Sequence, residues 1–160
     1  MTASGSGKRI VSSLDGDLWH GPSLWELLED VTPEVAGGKP VPNGHSIWEI
    51  VLHMTGWRNE VAQRATGQPA GEPAGGDYPD IGDPTAKRWK EALEALDASH
   101  VKLVAVAEGM SDDHLLKATN DPRNRPLGTG VSYYVLLHGI VQHDAYHAGQ
   151  IAILKKVLGF

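Results

Sequence analysis

The stretch VSYYVLLHGIVQHDAYHAGQIAILKKVL, residues 131–158, decides the class of fold, because it predicts one long helix that ends at Gly159. Apolar residues and two histidines recur along one face of this helix, at Leu136, Ile140, His143, His147 and Leu154. A helix has such a face when that face is buried against other elements. The segment therefore predicts a helical domain whose core includes two imidazoles.

Other segments predict the helices that complete this domain. Ser-x-x-Glu capping boxes at 23–26 and 46–49 mark two helix starts, and apolar residues then recur at helical spacing over 47–66. A loop rich in glycine and proline follows at 66–84, and a third long helix begins after it. No segment alternates as a strand would. The predicted fold class is all-α, an up-and-down-type four-helix bundle with a long second connection.

The composition narrows the classes of protein to which the chain can belong. The 160 residues include no cysteine, which excludes disulfide scaffolds, thiolate metal sites and cysteine nucleophiles. Fourteen basic against twenty acidic residues give a net charge of −6, which argues against a nucleic-acid partner. No apolar run could span a bilayer and residues 1–9 lack a secretory signal, so we expect no membrane partner and a cytoplasmic location. The length predicts one domain at 8–160 after a flexible lead-in at 1–7.

Three histidines are candidate metal ligands. His143 and His147 lie one turn apart on the last predicted helix, so both imidazoles can reach one ion. His53 lies among the apolar residues of the second helix, and metal sites in bundles are built from facing helices. Three imidazoles would leave coordination positions open for water or substrate. From the residues alone a second interpretation stays open, in which all three are hydrogen-bonded core histidines.

Two polar residues near His143 and His147 are weaker candidates. Each could orient a metal ligand or contact the substrate. Asp144 could orient a ligand or act as a base, or it could instead be a solvated or interhelical side chain. Gln150 lies two turns after His143 on the same face. His100 falls on the apolar stripe of the third helix, where a hydrogen-bonded core histidine fits better than a fourth ligand.

Two segments together resemble the DinB/YfiT-like superfamily. Residues 138–151, HGIVQHDAYHAGQI, are similar to its C-terminal metal-binding helix, and residues 45–53, HSIWEIVLH, are similar to its second helix. Residues 19–23, WHGPS, also resemble a segment of one branch. The resemblance implies a four-helix bundle with a divalent metal held by His53, His143 and His147. It also implies that the chain can form a homodimer.

The same resemblance implies an activity on small molecules. Characterised relatives are mainly transferases and isomerases that use a low-molecular-weight thiol, bacillithiol or mycothiol, and many other members are described as metal-dependent hydrolases. We therefore expect a metal-dependent thiol transfer to an electrophile, with a hydrolase or a non-catalytic metal-binding protein as the alternatives. All-imidazole ligation suits zinc or nickel first, and also iron, manganese or copper.

Overall fold

The computed structural model describes residues 6–11, 18–121 and 131–160, and over these ranges the chain forms helices and no strand. The predicted all-α class is therefore confirmed. The helices are α1 Ser6–Val11, α2 Leu24–Leu28, α3 Pro33–Gly37, α4 Ile47–Ala65, α5 Ala86–Glu108, α6 Asp112–Leu115 and α7 Tyr133–Leu158. Residues 1–5 of the predicted lead-in lie outside the described ranges, and Ser6 and Gly7 already belong to α1.

Both predicted capping boxes are present. At the start of α4, the Ser46 hydroxyl accepts a hydrogen bond from the Glu49 backbone N–H at 3.1 Å, and the Glu49 carboxylate accepts one from the Ser46 N–H at 2.7 Å. Ser23 and Glu26 make the same reciprocal pair at the start of α2. These caps fix where α4 begins, and hence which of its residues face inward at His53.

The other two long helices begin slightly later than the sequence predicts. α5 begins at Ala86 rather than directly after Pro84, because the Thr85 side chain accepts from the Arg88 N–H and caps the helix. α7 begins at Tyr133 rather than at Val131, with Ser132 as its cap. The predicted end of α7 is confirmed, since Gly159 has the left-handed φ of 94° that ends a helix.

The long helices bury two separate apolar clusters, one toward each end. α4 lies against α5 and α7, and α1 lies against α5 and α7. The first cluster joins the beginnings of α4 and α5 to the end of α7, and it includes Trp48, Leu96 and Ile151. The second joins the opposite ends of the same helices, and it includes Leu103 and Leu137.

Buried polar side chains lie between the two clusters, at the middle of the long helices. They are His53 and Arg58 of α4, Ser99 and His100 of α5, and Asp144 and His147 of α7. Burying such groups is costly unless they bind one another or a ligand. None of the helices in the described ranges is long and apolar enough to cross a membrane.

Candidate metal centre

Helices α4 and α7 bring the three predicted histidines together. One ring nitrogen from each of His53, His143 and His147 lies within 4.8 Å of the other two. Nε2 of His53 is 2.9 Å from Nε2 of His143, and the His147 ring is 4.6 Å from that of His53, centroid to centroid. His53 and His147 are only 6% and 4% exposed, whereas His143 is partly open to solvent. The cluster is thus closed on the core side and accessible on the other.

Hydrogen bonds to Nδ1 set the orientation of two of the rings. Nδ1 of His53 is 2.7 Å from the backbone oxygen of Asp77, and Nδ1 of His147 is 2.6 Å from Oε1 of Gln150. Both partners are oxygen acceptors, so each Nδ1 carries the proton and donates it. Each Nε2 is therefore left with a free lone pair, which is the form of imidazole that binds a metal.

The third ring shows that the cluster fits a cation. Without an ion, Nε2 of His143 must donate to the lone pair of His53, so Nδ1 of His143 is left unprotonated. That Nδ1 lies 3.6 Å from Oδ1 of Asp144, and neither buried atom has a hydrogen-bond partner among the described residues. If Nε2 binds a metal instead, Nδ1 carries a proton toward the carboxylate. The donor set and the two unpartnered atoms therefore both fit a divalent metal ion.

Asp144 is an interhelical side chain, one of the alternatives left open by the sequence. Its Oδ2 accepts from Nε of Arg58 at 2.8 Å, and the two residues are 2% and 1% exposed. The pair joins α4 to α7 directly beside His143. One carboxylate oxygen is thus bound by the guanidinium, while the other faces the imidazole.

Arg58 was missed by the sequence-based prediction, although the sequence carries a signal for it. Positions 47, 51, 54, 58 and 61 follow the alternating spacing of four and three that marks the buried face of α4. Four of them are the apolar residues Ile47, Val51, Met54 and Val61, and the fifth is Arg58. A charge on a buried face requires a partner. That partner is Asp144, an acidic residue on α7, the helix that faces α4 at this point.

The glycine- and proline-rich loop between α4 and α5 covers one side of the cluster. Besides its carbonyl bond to His53, Asp77 accepts from the indole N–H of Trp57 through Oδ1 at 2.8 Å. The Tyr78 ring stacks on His53 at 4.2 Å and on His45 at 3.5 Å, nearly parallel to both. Burial and the nearby Asp77 carboxylate raise the pKa of Tyr78, so its hydroxyl stays protonated at neutral pH.

His100 lies outside the cluster. It is buried in α5, and its ring is 6.5 Å from that of Trp25 in an edge-on arrangement. The group of potential ligands that the described residues form contains only the three histidines of α4 and α7. The structure therefore places His100 in the core rather than at the candidate centre.

Two pockets lie near the cluster, and only one of them includes a cluster histidine. The first, of about 260 Å³, has His143 in its wall together with Trp57 and Ile140. The second, of about 250 Å³, has Gln150 in its wall together with His45. Both are lined mainly by apolar side chains. The pocket lined by His143 therefore gives small molecules room beside the candidate centre, whereas the second pocket reaches only Gln150, which binds Nδ1 of His147.

The buried histidines make the stability of the metal-free protein depend on pH. Burial lowers the pKa of His147 from 6.5 to about 4, and burial also lowers the pKa of His53. Between about pH 6.5 and 4 the unfolded chain binds protons that the folded chain does not, so stability falls as the pH falls. We expect the urea midpoint of the chelated protein to decrease over this range, and to decrease less in His147→Gln. Equal slopes for the two proteins would contradict this.

A comparison with protein families places most of the chain in a known family. The family model described as the DinB superfamily matches residues 19–151, which is most of the chain. The matched range contains His53, His143 and His147 as well as the loop that covers them. No curated protein and no solved structure matches the chain.

Proposed function

The chain belongs to the DinB superfamily, and from this membership and the geometry of its histidines we propose that it is an enzyme that uses a divalent metal ion to transfer a small thiol to an electrophile. One observation carries the proposal: three imidazoles converge on one point, and one of them, His143, also lines an apolar pocket of about 260 Å³. A transfer reaction needs room for an organic electrophile beside the thiol, and this pocket provides such room next to His143.

The donor set suits this chemistry. His53, His143 and His147 are neutral ligands when they bind through Nε2, so they do not cancel the charge of a divalent ion. An ion bound there would lower the pKa of a thiol and supply thiolate at neutral pH. The thiol must be added as a separate molecule because the chain has no cysteine. We propose a low-molecular-weight thiol such as bacillithiol or mycothiol, with zinc or nickel as the metal.

The surrounding residues hold the ligands in position. The Asp77 carbonyl fixes the His53 ring, and the Gln150 amide oxygen fixes the His147 ring. Asp144 faces Nδ1 of His143, and Arg58 holds that carboxylate in place. Two of the rings therefore have a hydrogen-bonded oxygen acceptor on the side away from the cluster, and the third has a carboxylate oxygen 3.6 Å away, an arrangement that supports metal binding.

A hydrolase is the second candidate function, and the carboxylates near the cluster do not favour it. A hydrolase of this kind needs a base beside the metal-bound water. Asp144 binds Arg58 through Oδ2 and faces Nδ1 of His143 through Oδ1, and the Asp77 carboxylate accepts from Trp57. Glu49 completes the capping box of α4 and also binds Lys39. A thiolate needs no such base, which supports the transferase.

We also propose how the helices correspond to the four-helix bundle of the family. α4, α5 and α7 supply three of its helices. α1 lies against α5 and α7, and α2 lies against α7, so these two short helices together take the place of the remaining one. In this arrangement the chain is one domain that begins with α1, two residues earlier than the predicted start at residue 8. We also propose that it forms a homodimer.

The proposed function is tested by following the consumption of 1-chloro-2,4-dinitrobenzene with several thiols. Each turnover forms a carbon–sulfur bond, releases chloride and gives the thiol proton to the buffer. We expect turnover only when thiol and metal are both present, and background rates in His143→Ala. His138→Ala is the matched control, because His138 lies on the same helix outside the cluster. It should keep at least half of the rate.

The alternatives have distinct outcomes in the same experiment. Hydrolysis of ester or amide substrates with metal but without thiol would favour the hydrolase. Inactivity in both assays over a broad set of substrates would favour a protein that binds metal without catalysis. Equal losses in His143→Ala and His138→Ala would show that the cluster is not the site of the reaction.

A further inference from the structure

The pocket that contains His143 is lined mainly by apolar side chains. We define the His143 pocket by six of its residues, Trp57, Val61, Leu136, Gly139, Ile140 and His143. Apart from the imidazole and the indole, these residues offer only aliphatic surface or backbone. None of the described residues that line this pocket carries an Asp, Glu, Lys or Arg side chain. Such a wall favours an uncharged apolar group and disfavours an ionic one, which would lose its hydration without a partner.

Gly139 keeps one side of this pocket open. It lies in the middle of α7, where glycine destabilises a helix relative to alanine. A Cβ at this position would meet no atom within 4 Å, so the fold itself does not require glycine there. The missing side chain instead leaves free space beside Ile140 and His143.

We propose that the His143 pocket binds the apolar part of the electrophilic substrate, an uncharged aromatic or aliphatic group, and that Gly139 leaves room for it. The assignment to the electrophile rests on the proposed function. The volume of about 260 Å³ is sufficient, since a cavity of roughly 150 Å³ already admits benzene. A group held there lies against the His143 ring and thus beside the candidate metal centre.

The pocket is tested by the binding of two molecules of similar size, toluene and benzoate, followed by ligand-observed NMR. We expect wild-type protein to bind toluene at least tenfold more tightly than benzoate, both with zinc and after chelation. Gly139→Leu should weaken toluene binding at least tenfold, because the new side chain fills the pocket. Gly149→Leu is the matched control: Gly149 is also an exposed α7 glycine with open space, and it lies outside this pocket.

Three results would overturn the proposal: equal binding of benzoate, unchanged toluene binding in Gly139→Leu, or an equal loss in Gly149→Leu. Thermal melts of both variants show whether they fold, and Gly139→Ala provides a smaller obstruction if Gly139→Leu does not. We expect Gly139→Ala to weaken toluene binding less than Gly139→Leu does.

The outcome for the pocket is separate from the outcome for the reaction. Toluene binding without any thiol transfer would uphold the pocket and refute the proposed function. Thiol transfer without toluene binding would support the proposed function and refute the pocket.

Discussion

Alanine in place of His53, His143 or His147 should abolish tight binding of a divalent metal. Each substitution removes one of the three candidate nitrogen ligands, and two imidazoles hold an ion poorly against buffer. The loss should exceed the roughly 10- to 100-fold that removal of a supporting group near a metal costs. Titration of the chelated protein with zinc, followed by metal analysis after gel filtration, measures the affinity and the stoichiometry.

The same variants should stay folded. The two apolar clusters lie on either side of the histidines and bury their side chains without an ion. The far-UV circular dichroism spectrum should therefore remain that of a helical protein after chelation. Added zinc should raise the melting temperature of the wild type but not that of the three histidine variants. His100→Ala is a useful control, since His100 is buried but lies outside the cluster. If one of the three alanine variants still bound one zinc per chain, the histidine replaced in that variant would not be a ligand.

Arg58→Met should be the most destabilising of the substitutions considered. It leaves the Asp144 carboxylate buried and without its guanidinium partner. Breaking a buried ion pair in this way costs about 3–5 kcal/mol, most of it from the uncompensated charge. Urea unfolding of the chelated protein measures the loss, and chelation keeps metal binding out of the comparison.

The double variant Arg58→Met/Asp144→Leu separates the two roles of this pair. It replaces both charges with apolar side chains, so most of the lost stability should return. Its metal affinity should nevertheless stay about 10- to 100-fold below that of the wild type, because His143 has lost the carboxylate that faces its Nδ1. Recovery of both properties would show that Asp144 serves only the ion pair.

Periodicity in the sequence predicted the long helices and placed the three histidines on their buried faces, whereas the choice of the metal-binding interpretation of these histidines came from the family resemblance. His143 and His147 had to share a face once α7 was predicted, and the capping box at Ser46 fixed the register that turns His53 inward. The structure brings these three residues together. The predicted first residues of α5 and α7 were less accurate, because Thr85 and Ser132 compete with neighbouring residues for the N-cap position.

The remaining contacts at the site could not be predicted because they come from segments without a repeating pattern. Asp77 and Tyr78 lie in a loop whose glycines and prolines predict only irregular structure, and the contacts of that loop with His53 depend on how it folds back. The ion pair of Arg58 and Asp144 differs, since a charge on the buried face of α4 was visible in the sequence. The partner of that charge could not be predicted, because it depends on how α4 and α7 are aligned.

X-ray absorption at the metal edge of the zinc-loaded protein tests the central claim most directly, because it measures the atoms around the ion. We expect one zinc per chain with three imidazole nitrogens at about 2.0–2.1 Å and one oxygen ligand in the open position. His53→Ala, loaded at high zinc, should show fewer imidazoles. A spectrum without imidazole scattering, or one dominated by carboxylate oxygens, would contradict a metal centre at His53, His143 and His147.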